Sequence, residues 1–209
     1  MIELVTTDGI FALDGGEWEV TNNIWLVGDD REVLVFDAAH DHKPIVAAVN
    51  GRRVKAIVLT HGHNDHINAA VALRDAVDAP ILLNEADTML WQAVYPDEST
   101  DGGIEPGSVL TAGGHDVGVV HTPGHSPGCC CFHDTVAGVV FSGDTLFCGG
   151  PGATGRSYSD EPTILRSIYD KLLVLADDTV VHTGHGDSTT IGAERETVLA
   201  RIAELGLEF

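Results

Sequence analysis

The chain has 209 residues and a formal net charge of −21, from 11 Lys and Arg against 32 Asp and Glu. So acidic a composition excludes the basic surface that nucleic-acid binding requires and the polybasic attraction to anionic lipid, and neither partner is expected. Hydrophobic residues make up 44%, enough for a real core, and the length fits a single domain spanning residues 1–209.

The first residues, Met1 to Asp8, lack the basic and apolar regions of a secretion signal, and no apolar run reaches transmembrane length. Cys129, Cys130 and Cys131 are consecutive, which suits neither a disulfide framework nor a C-x-x-C metal pair. Reduced thiols in a buried strand are expected, and with them a cytoplasmic location.

In chain order, residues 10–13 and 24–27 read as short strands and 32–37 as a buried strand. Residues 43–50 predict a helix closed by Gly51, and 54–59 a strand. Asn64 or Asp65 is placed to cap a helix running through Ala69 to Ala76. A strand at 80–83, a helix at 85–94 ending before Pro96, and a polar loop over 95–107 follow. Strands are expected at 117–121, 129–133 and 136–141, then a mobile glycine-rich loop from Cys148 to Tyr158. A helix from Pro162 to Leu175, a strand at 179–182 and a last helix at 193–205 complete the chain. Strand clusters interspersed with helices predict a mixed fold with helices outside sheets.

The densest chemistry lies in Thr60-His61-Gly62-His63-Asn64-Asp65-His66, directly after an apolar strand. Imidazoles and carboxylates are the donors of zinc and similar borderline ions. On a helix, positions i and i+2 face apart, whereas in an extended segment they share a face, so His61 and His63 suit one ion. Asp65 and His66 lie past the turn and suit a second. Two later stretches are near copies of each other: Val119 to His125 and Val180 to His185 each run apolar strand, His-Thr, glycine turn, His. The turn histidines, His125 and His185, are the expected ligands. The strand histidines, His121 and His182, are expected to pack or to orient a ligand by hydrogen bond. Asp144 ends another apolar strand behind Gly143, where a bridging carboxylate would stand. His40 and His42 read as surface or orienting groups, and His115 and His133 as residues with no role at a site.

These elements, T-H-x-H-x-D-H at Thr60 to His66, T-P-G-H at Thr122 to His125, S-G-D-T at Ser142 to Thr145 and Gly184-His185, resemble the metallo-β-lactamase-fold hydrolases, in the same order. The resemblance implies class α+β, a four-layer αββα sandwich with metals at one edge. It implies two divalent ions, zinc by preference and iron or manganese otherwise. One takes His61, His63 and His125, the other Asp65, His66 and His185, with Asp144 bridging. Asp65 would also orient a metal-bridging hydroxide. His63 stands where flavodiiron relatives have Glu, Asp144 is absent from Cys-ligand β-lactamases, and Phe147 replaces the Tyr of lactonases. The remaining resemblance is to short glyoxalase II-like thioesterases, since only 24 residues follow His185. Their substrate is an acylated small thiol. A mononuclear-iron persulfide dioxygenase and a lactone or β-lactam hydrolase are the rival readings. Arg156 and Tyr158, in the loop after Asp144, are placed to meet an anionic substrate group.

Overall fold

The computed structural model describes residues 1–209. One sheet holds β1 (Ile2–Leu13), β2 (Gly16–Gly28), β3 (Glu32–Phe36), β4 (Arg53–Val58), β5 (Ile81–Leu83) and β6 (Gly102–Gly103), side by side in chain order. Its first three strands are antiparallel and β3 to β6 are parallel. The other holds β7 (Val109–Ala112), β8 (His115–His121), β9 (Cys130–Asp134) and β10 (Val139–Gly143). A separate ribbon, β11 (Leu146–Phe147) with β12 (Gly150–Pro151), follows. Then β13 (Val180–Thr183) adds parallel to β10, and β14 (Thr189–Thr190) forms the edge, giving the order β14-β13-β10-β9-β8-β7. Helices α1 (His42–Val49), α2 (Asn64–Ile67), α3 (Ala70–Val77) and α4 (Thr88–Val94) connect the first sheet, and α5 (Glu161–Ser167) and α6 (Ile191–Glu204) belong to the second.

Strand alternation sorts the apolar residues into three layers. Leu34 and Phe36 of β3 face inward onto Val117, Phe132 and Phe141 of the other sheet. Val33 and Val35 face outward, among Ile45 and Val49 of α1 and Leu73 of α3. Val140 and Val181 of the second sheet face Ile164 and Leu165 of α5 and Val198 of α6. The result is the expected αββα sandwich. The consecutive cysteines follow the same rule: Cys130 lies between the sheets and Cys131 under the helices, all three buried thiols being free.

Several elements differ from their expected form. The two short N-terminal strands are one long hairpin, paired from Ile2↔Val27 to Leu13↔Gly16 around Asp14-Gly15, both at positive φ. Its distal half is largely solvent-exposed, and outside residues 10–13 it has no apolar run to mark it as strand. The helix expected to start at Asn64 breaks into α2 and α3, because the chain between them is pinned by the Ala38 N–H to His66 and Ala69 N–H to Ala38 carbonyl bonds. Neither Asn64 nor Asp65 caps it: His63 holds the N-cap position without a side-chain bond. The Asn64 amide instead crosses to the hairpin, accepting from Ala12 N–H and donating to the Ile10 carbonyl. The 162–175 helix turns π-helical over Ile168–Leu172. The loop after Cys148 contains β12, and β7, an edge strand, went unread.

Phe36 stacks on Phe141 with ring centroids 4.8 Å apart and lies 5.0 Å from Phe132. Phe36→Ala is expected to cost about 3–5 kcal/mol in urea unfolding. A loss below about 1 kcal/mol would show that the two sheets do not depend on this contact.

Candidate metal centre

The seven donor residues stand at one edge of the sandwich, at the ends of strands from both sheets. His61 to His66 follow β4, His125 follows β8, Asp144 follows β10 and His185 follows β13. His63 is still extended, whereas Asp65 and His66 lie in α2, so the two halves of the motif face different points.

Two triads result. His61 Nε2 lies 3.0 Å from His63 Nδ1, which lies 2.9 Å from His125 Nε2. His66 Nε2 lies 3.2 Å from His185 Nε2, and Asp65 Oδ2 lies 3.6 Å and 3.3 Å from those two nitrogens. Asp144 stands between the triads. Its Oδ1 is 3.3 Å from His66 Nε2, and its Oδ2 is 3.5 Å from both His125 Nε2 and His185 Nε2. Gly184 makes room for this: a Cβ there would meet Asp144 Oδ1 at 2.3 Å and His66 Cε1 at 2.8 Å.

The outer nitrogens fix the tautomers. His125 Nδ1 donates to the Ala153 carbonyl at 2.7 Å and His185 Nδ1 to the Thr21 carbonyl at 2.8 Å. His66 Nδ1 donates to Asp37 Oδ2 at 2.8 Å, and His61 Nδ1 lies 3.0 Å from Thr60 Oγ1, which donates to the same Asp37 oxygen. Each of these rings therefore turns its Nε2 inward. Lone pairs packed this closely repel unless a proton or cation sits among them. Asp65 Oδ1 and Asp144 Oδ1 are also buried without a donor. The donor chemistry and these orphaned oxygens fit two divalent ions.

Electrostatics divides the triads. Burial, reinforced by neighbouring imidazoles, pushes His63 down to about 3 and holds His61 well below its ordinary value. Burial also opposes charge on His185, but the Asp144 and Asp65 carboxylates outweigh it and raise this ring to about 10. His66 is likewise raised against its burial, by Asp144, Asp65 and Asp37. Burial would raise Asp144, yet His66 and His185 hold it well below the carboxylate range.

The other histidines lie away from the donors. His121 bonds the Pro127 carbonyl and His182 stacks on Trp25 at 4.0 Å, so neither orients a donor ring. His40 reaches the site indirectly: its Nε2 bonds Asn22 Oδ1, and Asn22 donates to Asp65 Oδ2 at 3.2 Å. His42 lies beside Asp41 at the start of α1. His115, expected to have no role at a site, pairs with Asp134 at 2.6 Å, away from the donors. Asp37, Asn22 and Asp87 went unrecognised in the sequence. Asp37 closes a plain apolar strand, and only its nearness to the dense motif hinted at it.

The donors open into a cavity of about 530 Å³ walled by Phe11, Trp18 and Val20 of the hairpin, Phe147, and the loop carrying Ala153 and Arg156. Arg156 lines it, whereas Tyr158 and Cys148 do not.

An αββα sandwich with two such triads at its open edge defines a metal-dependent hydrolase. The chain belongs to the metallo-beta-lactamase superfamily, whose family model matches residues 18–185. It is 32% identical over 190 residues to hydroxyacylglutathione hydrolase GloC of Haemophilus influenzae, covering 83% of this chain and 88% of that protein. The probable metallo-hydrolase YqgX of Bacillus subtilis is 34% identical over 189 residues, covering 84% and 89%. Among solved structures, TTHA1623 in a di-iron-bound form superposes with a TM-score of 0.76 at 31% identity, covering 85% of this chain and 94% of that one.

The raised imidazole of His185 contributes stability to the ion-free chain that is full below its ordinary value of 6.5 and lost as pH rises through about 10. Ion uptake at pH 7 must therefore expel protons from His66 and His185, and none from His61 or His63. Calorimetry in buffers of different ionisation enthalpy is expected to register this release. Uptake without proton release would contradict the charge assignment.

Proposed function

We propose that the chain is a dinuclear-metal hydrolase that cleaves the thioester of a small thiol, in the manner of a hydroxyacylglutathione hydrolase. The observation that carries this reading is the pair of triads meeting at Asp144 on the floor of one cavity. One ion is assigned to His61, His63 and His125, the other to Asp65, His66 and His185, and Asp144 to both. Zinc suits this nitrogen and oxygen set, with iron or manganese as the other choices. The relative named hydroxyacylglutathione hydrolase supports the substrate class.

Two ions held in this way would supply a Lewis acid for a carbonyl and lower a water's pKa toward about 7. Asp65 would orient that water: Asn22 donates to its Oδ2, and its Oδ1 is buried without a partner. The hairpin and Phe147 wall off solvent. A thiolate leaves without protonation, which agrees with a cavity lined by neither Lys nor Glu.

Arg156 supports an anionic acyl-thiol. Its guanidinium sits 3.7 Å over the Trp18 ring and 5.4 Å from that of Phe11. It has no carboxylate within ion-pair distance, although acids outnumber bases 32 to 11, while Arg52, Arg74, Arg195 and Arg201 are all paired. Stacking holds the fork and leaves its N–H groups for a ligand.

Metal quantitation with an S-acyl thiol hydrolysis assay is the test. Two ions per chain with acyl-thiol cleavage are expected. A single iron with oxygen consumption would give a persulfide dioxygenase instead, and turnover of lactones or β-lactams alone would move the substrate. Asp144→Ala is expected to strip metal from both triads and abolish hydrolysis; full activity with two ions would refute the assignment. Arg156→Met is expected to raise KM for a carboxylate-bearing thioester about ten- to hundredfold relative to a neutral one. Equal changes for the two substrates would remove Arg156 from recognition.

A further inference from the structure

We propose that Asp87 is the positioning residue of the His61–His63–His125 triad, acting through backbone rather than through a ring. The inference rests on the ligand assignment above and goes beyond it. Four donor histidines are held by a bond at the outer ring nitrogen: His61 by Thr60, His66 by Asp37, His125 by Ala153 and His185 by Thr21. His63 is the exception. Its Nδ1 faces the triad, and its Nε2 is buried with no partner. Besides the His61 and His125 rings of its own triad, the edge-on Phe11 ring lies against it, 5.4 Å away. Its aim must therefore be set by the main chain on which it stands.

That main chain is gripped by Asp87. Gly62 N–H, between His61 and His63, donates to Asp87 Oδ2 at 2.8 Å. The same carboxylate accepts from Ser126 Oγ and from Gly128 N–H, each at 2.6 Å, in the turn that follows His125. One side chain thus clamps the two segments that carry all three histidines of this triad. Asp87 is 0% exposed and sits at the end of a short helical turn whose start is capped by Asn84. It has no Lys, Arg or His partner, so three neutral donors alone offset the cost of burying a carboxylate. An apolar residue here would leave the Gly62 and Gly128 N–H groups and the Ser126 hydroxyl buried without this acceptor.

The clamp also explains two glycines. A Cβ at Gly62 would lie 2.8 Å from Leu90 Cβ and 3.0 Å from Asp87 Cβ, and one at Gly128 would lie 2.6 Å from Asp87 Cγ. Contacts this short do not occur, so glycine at both places lets the carboxylate reach the two backbones. Gly62, a spacer in the sequence motif, is the point at which the motif is fastened to the helical turn that leads into α4. The other triad has no such bond to Asp87; its residues rest on Asp37, Asn22 and Thr21.

The test compares wild type, Asp87→Asn and Ser126→Ala as full-length holoproteins. An asparagine keeps the shape but turns an NH2 group against Gly62 or Gly128 N–H, and Ser126→Ala removes one donor while keeping the acid. Zinc affinities are measured by chelator competition, and cadmium NMR of the cadmium-loaded protein separates the nitrogen-rich ion from the carboxylate-rich one. The expected result is a rise of about tenfold or more in one dissociation constant, with the nitrogen-rich signal shifted or lost and the other ion changed by less than about threefold. Ser126→Ala should move the same ion less far, and it carries the test if Asp87→Asn does not fold. Equal weakening of both ions, or no change in either, would overturn the proposal. Wild-type stoichiometry reports separately on the ligand assignment, since binding of a single ion would defeat that assignment whatever the variants do.

Discussion

The centre depends first on one buried carboxylate, Asp37, at the end of β3. It takes the Thr60 N–H at 2.7 Å, the Thr60 hydroxyl at 2.9 Å and the His66 ring at 2.8 Å. Through Thr60 it also governs His61. To face this way its backbone adopts a positive φ of 63°, an uncommon conformation for a residue other than glycine. One strained turn thus joins the ends of parallel strands β3 and β4 and assigns the inward nitrogen of a ring in each triad. The pattern is economical because a carboxylate is acceptor-only: every group around it must present a hydrogen, so every ring so bonded must turn its lone pair the other way.

The charge arrangement follows from the same crowding. The His61 and His63 imidazoles are driven toward neutrality by burial and mutual repulsion. Two carboxylates placed beside His66 and His185 reverse the sign there. Similar side chains a few ångströms apart therefore have opposite protonation behaviour, and the difference comes from Asp65 and Asp144 rather than from the histidines. The strongly acidic surface does not reach this point, since the cavity wall offers aromatic rings and one arginine.

Much of this was legible in the chain. Strand alternation, the dense motif and the paired strand-turn-His copies carry local signals, and the fold brings those residues together where their order implied. The illegible parts are long-range. The hairpin's distal half is solvent-exposed and reads only as one short apolar run, yet the hairpin supplies Phe11 and Trp18 to the cavity and Asn22 to Asp65. Asp87 lies in a helical stretch that reads as any amphipathic segment; its partners are Gly62, Ser126 and Gly128, which no spacing rule links to it. The Asn64 side chain was read as a cap because capping is local, whereas its real partners on β1 lie more than fifty positions away.

The donors are shared between the two halves of the sandwich: His61, His63, Asp65 and His66 come from the first sheet, and His125, Asp144 and His185 from the second. Either ion would therefore be a cross-link that exists only while the sheets are face to face. Mass action then makes resistance to unfolding a function of the surrounding ion activity, each tenfold rise above the dissociation constant adding about 1.4 kcal/mol per bound ion. For a chain so built, metal supply sets how long the protein lasts as well as how fast it turns over.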